Sequence, residues 1–396
     1  MKSLQKRKGI FMESIGGFQW TPPNQKKKGK NKMANENMVT LADAAEVIKA
    51  LIRDPERSPA LMLRGSPGVG KSTLVRDTAK ALGIGFIDVR LSQMERVDFC
   101  GLPSVKDGTT EWNVPGIWPR DPGSKGILLL DELTSAPADV QVAAYQLVLE
   151  RAISNSNYKL PSGWLIVGAG NLTTDRAVVK SMSSALANRF MHLNIETNLD
   201  VWCNWAVKHE INPSVTGFVR FRPELLFRMD GQNLEQGWPS PRSWEKVSNI
   251  IAMGMPEILT AKAIYGLVGP GAGIEFLAFH KSNVFTADVV KMLEDPTVPV
   301  VIPEKSKRSE RFAFLSAVAY QLWAGGDDAH DALRVEGLFR VLDKLTPDFA
   351  AMLLAAAQQG NRRLSELEAM EKIMASPACA AFAAKHESLA FNRPTL

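Results

Sequence analysis

The chain has 396 residues, 45% hydrophobic and 22% charged, an ordinary globular composition too long for one compact core. Its formal charge of +5 is uneven: residues 1–32 carry a net +8 and the other 364 sum to −3. A basic nucleic-acid surface is therefore not a property of the folded part. Three scattered cysteines, Cys100, Cys203 and Cys379, argue against a disulfide framework and for a reducing compartment. No apolar run has the length of a membrane span, and the scattered histidines offer no zinc spacing.

Residues 1–38 read as a basic, disordered tail, with Lys26-Lys27-Lys28-Gly29-Lys30 and Pro22-Pro23 inside it. Three readings stand for it: an extension upstream of a natural start at Met33, a disordered arm, or a nucleic-acid contact. From Thr40 a helix is expected to about Arg53, ended by Pro55 and Pro59. A strand over 60–64 then runs into Gly65-Ser66-Pro67-Gly68-Val69-Gly70-Lys71-Ser72. This is G-x-x-x-x-G-K-[ST], the phosphate-binding loop of nucleoside triphosphatases. Its glycines let backbone N–H groups turn inward onto a phosphate, and the helix over 71–82 adds its positive N-terminus. Lys71 is expected at the β- and γ-phosphates of ATP and the Ser72 hydroxyl on Mg²⁺; Thr73 completes the nucleotide-binding set. A glycine-rich turn that binds nothing is the alternative, and the strand–loop–helix order argues against it.

A second strand is expected over Phe86–Leu91. Ser92-Gln93-Met94-Glu95 has the form of a capping box, so a helix should begin there. Gly101-Leu102-Pro103 breaks it, and Lys106-Asp107-Gly108-Thr109 makes a polar turn before Trp112. Ile127–Leu130 is a buried strand ending in Asp131-Glu132. That is the Walker B form: Asp131 would hold Mg²⁺ through water and Glu132 would polarise the attacking water. A helix follows over 137–151, then a possible hairpin over Ile153–Leu160. The strand over Trp164–Ala169 leads to Asn171, a candidate γ-phosphate sensor or simply a turn-forming Asn. Alternation of strands and helices to residue 196 predicts a parallel α/β sheet. Helices are expected beyond it, over 199–209, 240–253, 311–323, 332–345 and 347–358, with a linker near 295–304. Gly269-Pro270-Gly271-Ala272-Gly273 reads as a flexible joint.

In this order the motifs, with Ala187-Asn188-Arg189-Phe190 and Ser240-Pro241-Arg242-Ser243-Trp244, resemble the AAA+ ATPases over roughly residues 40 to 250. More narrowly they resemble the MoxR-like branch with its bacterial and phage relatives and the CbbQ-type Rubisco activase motors. The resemblance implies a P-loop core over 39–196, a helical lid over 197–295 and a linker with a helical C-terminal region over 296–396. It implies a cytoplasmic ATP- and Mg²⁺-dependent enzyme, usually a hexameric ring with each site at a subunit junction. Arg189 matches the arginine finger that reaches the neighbour's γ-phosphate. Arg242 matches the sensor-2 arginine that couples phosphate to the lid. The segment 92–118 resembles the branch's insert, with Phe99 and Cys100 where Leu and Arg are common. Such inserts line the pore, which makes Phe99 and Trp112 candidate substrate contacts, whereas Trp118 reads as packing the insert's own core.

The implied role is a motor that remodels or activates a protein client, with a separate partner bearing a von Willebrand factor A domain. The alternatives are a nucleic-acid motor, which the lysine tail favours and the −3 of the folded part disfavours, and a nucleotide-gated assembly scaffold.

Overall fold

The computed structural model describes residues 38–390 apart from 155, 173–181, 183, 230–235, 282–285, 305, 326 and 362. Residues 1–37 of the basic tail, Met33 among them, lie outside the described residues, whereas Met38 pairs with Asn194 in the sheet. Among the described residues eight strands appear in chain order: β1 (Met38–Val39), β2 (Ala60–Arg64), β3 (Gly85–Arg90), β4 (Leu102–Lys106), β5 (Thr109–Asn113), β6 (Gly126–Asp131), β7 (Trp164–Gly170) and β8 (Phe190–Ile195). Six of them make a sheet in the order β1-β8-β2-β7-β6-β3, with every pairing parallel. A parallel sheet needs both faces covered. Accordingly Ile127, Leu128, Leu129 and Leu130 of β6 are fully buried, odd residues against one helical layer and even residues against the other. This is the α/β P-loop arrangement that the alternating pattern predicts.

The helices of this half are α1 (Leu41–Leu51), α2 (Lys71–Leu82), α3 (Arg96–Cys100), α4 (Ala138–Glu150) and α5 (Ser184–Ala187). Thr40 caps α1 with a complete capping box to Asp43, as Ser/Thr/Asp/Asn starts do. The start of α3 differs from expectation. Ser92 lies in a 3-10 turn over Leu91–Gln93, and the cap is Glu95, whose box partner is Asp98. The hydroxyl of Ser92 is engaged elsewhere, donating to Glu132. Around Ile153–Leu160 the described residues form one isolated bridge, Ala152 to Lys159, and no strand pair. The β4–β5 hairpin stands apart as its own two-stranded sheet around the Lys106–Thr109 turn.

Beyond the sheet, the described elements are all helical: α6 (Leu199–Lys208), α7 (Pro213–Phe221), α8 (Pro241–Ala252), α9 (Glu257–Val268), α10 (Pro270–Lys281), α11 (Thr286–Glu294), α12 (Arg308–Leu322), α13 (Asp328–Leu342), α14 (Pro347–Gln358), α15 (Glu366–Ala375) and α16 (Pro377–Ala390). One apolar cluster joins α6 to α10 around Phe218, Trp244 and Phe276. Another joins α11 to α16 around Val318, Trp323 and Leu338. The glycine-rich stretch is the junction of two helices: Gly269, at φ 79°, ends α9, and Pro270 opens α10, which takes in Gly271-Ala272-Gly273. Proline is suited to a first helical turn, where its missing N–H costs nothing. Segment 295–304 is irregular, yet it is tied down. Arg340 donates to Asp295 O at 3.1 Å and Lys344 to Val300 O at 2.9 Å.

Candidate nucleotide site

The strand order explains why the motifs meet. β2, β7 and β6 are neighbours, and in a parallel sheet their carboxyl ends open on one side, where α/β ligands bind. Lys71 follows β2, Asn171 follows β7 and Asp131 ends β6. The loop itself needs residues without a Cβ: Gly68 has φ 81° and Gly70 has φ 105°, a region that L side chains rarely adopt.

Lys71 is 8% exposed. Its Nζ donates to Gly65 O at 2.6 Å, to Ser66 O at 3.1 Å and to Asn171 Oδ1 at 3.3 Å. A buried ammonium is tolerable only when hydrogen-bonded, and here the loop and the end of β7 supply the acceptors. Ser72 Oγ donates to Asp131 Oδ2 at 2.6 Å. The pair combines a hydroxyl and a carboxylate, hard oxygen donors of the kind Mg²⁺ takes, so the residues fit that ion.

Glu132 directly follows Asp131 with φ 55°, a left-handed backbone uncommon for a residue with a side chain. Its N–H donates to Asp131 Oδ1 at 2.8 Å, and its carboxylate accepts from Ser92 Oγ. Such backbone outliers persist where the surroundings over-determine them, often at functional sites. On the far side, Asn171 N–H donates to Thr134 Oγ1 at 3.3 Å. Ser92 and Thr134 are site neighbours that sequence reading missed. Thr134 lies three residues past Asp131, in the turn before α4, and that position is the signal that could have found it. Ser92 offers a matching capping pattern instead, which conceals it.

Asp88, on β3, is a third carboxyl near the ends of the strands. Burial holds its pKa above the ordinary value, and the charge of Asp131 adds to the rise. Its Oδ1 is buried without a hydrogen-bond partner among the described residues, while Oδ2 lies 3.5 Å from Arg76.

The two arginines lie at opposite ends. Arg242 begins α8, and its N–H donates to Gly68 O at 3.1 Å. A Cβ on Gly68 would come 3.0 Å from Ser240 Oγ, so α8 packs directly against the phosphate loop. Arg189 precedes β8, whose Phe190 is in register with Ala60 at the start of β2. The phosphate loop follows the other end of β2, about 13 Å further at about 3.3 Å per residue. Arg189 is therefore not brought to its own chain's loop. Its guanidinium sits over the Tyr145 ring, 4.6 Å from the centroid.

The insert also separates its aromatics. Phe99 is fully buried and packs edge-to-face on Trp118, centroids 4.8 Å apart, while Trp118 Nε1 donates to Phe99 O at 3.0 Å. Phe99 is thus a core residue with no surface to offer a substrate. The reason is its place on α3, which packs against α4 within one apolar cluster. Trp112 is half-buried against the same cluster. The apolar side chains that the hairpin exposes are Leu102 and Val105, 61% and 81% exposed.

Residues 60–190 match the family model described as an AAA domain of the dynein-related subfamily. No curated protein matches the chain. Among solved structures, the RuvB Holliday junction branch migration motor of Thermotoga maritima is 15% identical, with 64% of this chain and 75% of that one covered, at a TM-score of 0.33. NtrX from Brucella abortus in complex with ATP is 11% identical, with 89% and 68% covered, at a TM-score of 0.35. No helix among the described residues is long and apolar enough to cross a membrane. With Lys71, Ser72, Asp131 and Asn171 gathered at the carboxyl ends of a parallel sheet and the family match spanning those positions, residues 60–190 carry an AAA domain of the α/β P-loop fold.

Proposed function

We propose that the protein hydrolyses ATP and uses the cycle to remodel or activate a protein client, working as a ring, a hexamer in the MoxR-like manner. In this reading the backbone N–H groups of 65–70 and Lys71 bind the phosphates. Ser72 and, through water, Asp131 hold Mg²⁺, which when bound neutralises phosphate charge. Glu132 takes the proton of the attacking water, and Asn171 orients that water beside the γ-phosphate. Arg242, at the head of α8, senses the phosphate and moves the helices that follow. The observation that carries the reading is the contact of Lys71 with both the loop and Asn171, beside the Ser72–Asp131 pair.

The distance between Arg189 and its own loop supports a site completed by a neighbouring copy, since a finger that cannot serve its own phosphate needs another. Arginine suits the task because it stays charged and offers forked donors. The exposed β4–β5 hairpin supports a client-facing element, with Trp112 as the remaining aromatic contact. A von Willebrand factor A partner belongs to the same reading, as do the division into core, lid and C-terminal helices and a cytoplasmic setting. The test is a capture experiment with Glu132→Gln protein and Mg²⁺-ATP. Recovery of a protein client supports the reading, and recovery of nucleic acid in its place overturns it in favour of a nucleic-acid motor.

A further inference from the structure

The environment of Arg189 contains a feature that the reading above does not use. Its guanidinium lies nearer an aromatic ring than the arginines of the other two such pairs among the described residues: 4.6 Å from Tyr145, against 5.6 Å for Arg76 on Phe86 and 5.5 Å for Arg311 on Phe349. Tyr145 belongs to α4, and α4 follows Asp131-Glu132 after a single 3-10 turn over Leu133–Ser135. The buried side of α4 is Val140, Gln141, Ala143, Ala144 and Leu147. Val142, Tyr145 and Leu149 are spaced three and four apart, so they share another stripe of the helix. Val142 and Leu149 are 64% and 46% exposed. Leu149 and Arg189 also line one cavity of about 170 Å³, together with Glu56 and Arg151.

We propose that Tyr145 is a positioning residue for Arg189: its ring face fixes the guanidinium for use by the nucleotide site of a second copy of this chain. The inference rests on the trans reading of Arg189 given above. A flexible arginine loses side-chain freedom when it meets a phosphate, and a partner that orders it beforehand reduces that loss. An aromatic face does this without neutralising the cation. The partly exposed apolar stripe around Tyr145 is then the surface that the second copy covers. Because α4 starts one turn after Glu132, the helix also joins the water-activating residue of one subunit to the arginine that it lends to the next.

The experiment isolates the lending of the arginine. A Lys71→Ala subunit can lend Arg189 but cannot bind nucleotide, and an Arg189→Ala subunit can bind but cannot lend. Their mixture is the control. The test mixture replaces the lender with a Lys71→Ala/Tyr145→Leu subunit, and a third uses Lys71→Ala/Tyr145→Phe. The expected result is a kcat about tenfold lower for the Leu lender, with KM for ATP unchanged and the rate restored by Phe. Sedimentation of each mixture checks that rings form, and a Tyr145→Leu single variant must still bind a fluorescent ATP analogue. Equal kcat for the Leu lender and the control, in rings of equal amount, overturns the proposal. So does loss of rings or of nucleotide binding with Leu, which assigns Tyr145 to assembly or folding. A control mixture no more active than its parts overturns the trans reading itself, and this inference with it.

Discussion

The two ends of the central sheet are built on different principles. At the carboxyl end, the polar groups of the motifs hold one another within the chain: Lys71 is held by Gly65, Ser66 and Asn171, Ser72 by Asp131, and Glu132 by Ser92. At the amino end, Arg189 rests on a tyrosine face beside partly exposed Val142 and Leu149. One end is preorganised by hydrogen bonds among its own side chains. The other holds an arginine stacked on an aromatic ring, in a cavity that it shares with Glu56, Arg151 and Leu149. The contrast suggests that binding and metal retention are properties of one chain, whereas turnover belongs to two.

The sharpest way to break this contrast is at the carboxyl end. Lys71→Ala should abolish ATP binding, while Glu132→Gln should bind ATP normally and lose at least about a hundredfold in kcat, since it removes the general base and keeps the shape. Single-turnover measurements with equilibrium nucleotide binding separate the two. Comparable turnover by Glu132→Gln and the parent would remove the base from its assigned place.

The insert offers a contrast of its own, in stability. Trp118→Ala should cost about 3–5 kcal/mol, as large-to-small changes in a packed core do, because it removes the partner of fully buried Phe99. Trp112→Ala, at a half-buried hairpin position, should cost much less and act on client-stimulated rate. Chemical denaturation of both variants checks this, and equal losses would place Trp112 in the core as well.

How far the sequence carried can be read from the same residues. The strands beneath the site were legible because continuous apolar runs such as Ile127–Leu130 have few other uses, and because the loop motif fixes its own context. The helix start at Thr40 was legible because its cap partner, Asp43, is local. Ser92 has an equally good local pattern, but a tertiary hydrogen bond to Glu132 took its hydroxyl and moved the cap to Glu95. Gly269-Pro270 is punctuation of two kinds, because the glycine ends one helix and the proline starts the next. Phe99 was ambiguous since an aromatic in an insert can pack or protrude, and only the packing of α3 decides. β8 is harder to see because His192 and Asn194 break the continuous apolar run that marks the other buried strands. Tyr145 carried no signal at all: its partner is 44 positions away in the chain.

The smallest expected effect concerns Asp88. Its raised pKa means that the native state holds this carboxyl's proton more tightly than the unfolded chain does. Ionisation therefore weakens the native state as pH climbs from the ordinary value near 3.8 towards the raised one. Asp88→Asn should be neutral below that window and modestly stabilising above it, offset in part by the loss of the Arg76 contact. Thermal midpoints of the nucleotide-free protein at pH 3.5 and pH 7.5 measure this, and a stabilisation confined to the lower pH would contradict the sign.

The central claim, that hydrolysis needs the carboxyl end of one sheet and the amino end of another, is tested most directly by ATPase measurements on mixed subunits. Arg189→Ala protein and Lys71→Ala protein should each be nearly inactive alone, and mixing them at equal amounts should recover a substantial part of the parent rate. The account is contradicted if the mixture stays as inactive as its parts, or if isolated monomers of the parent hydrolyse ATP at the full rate.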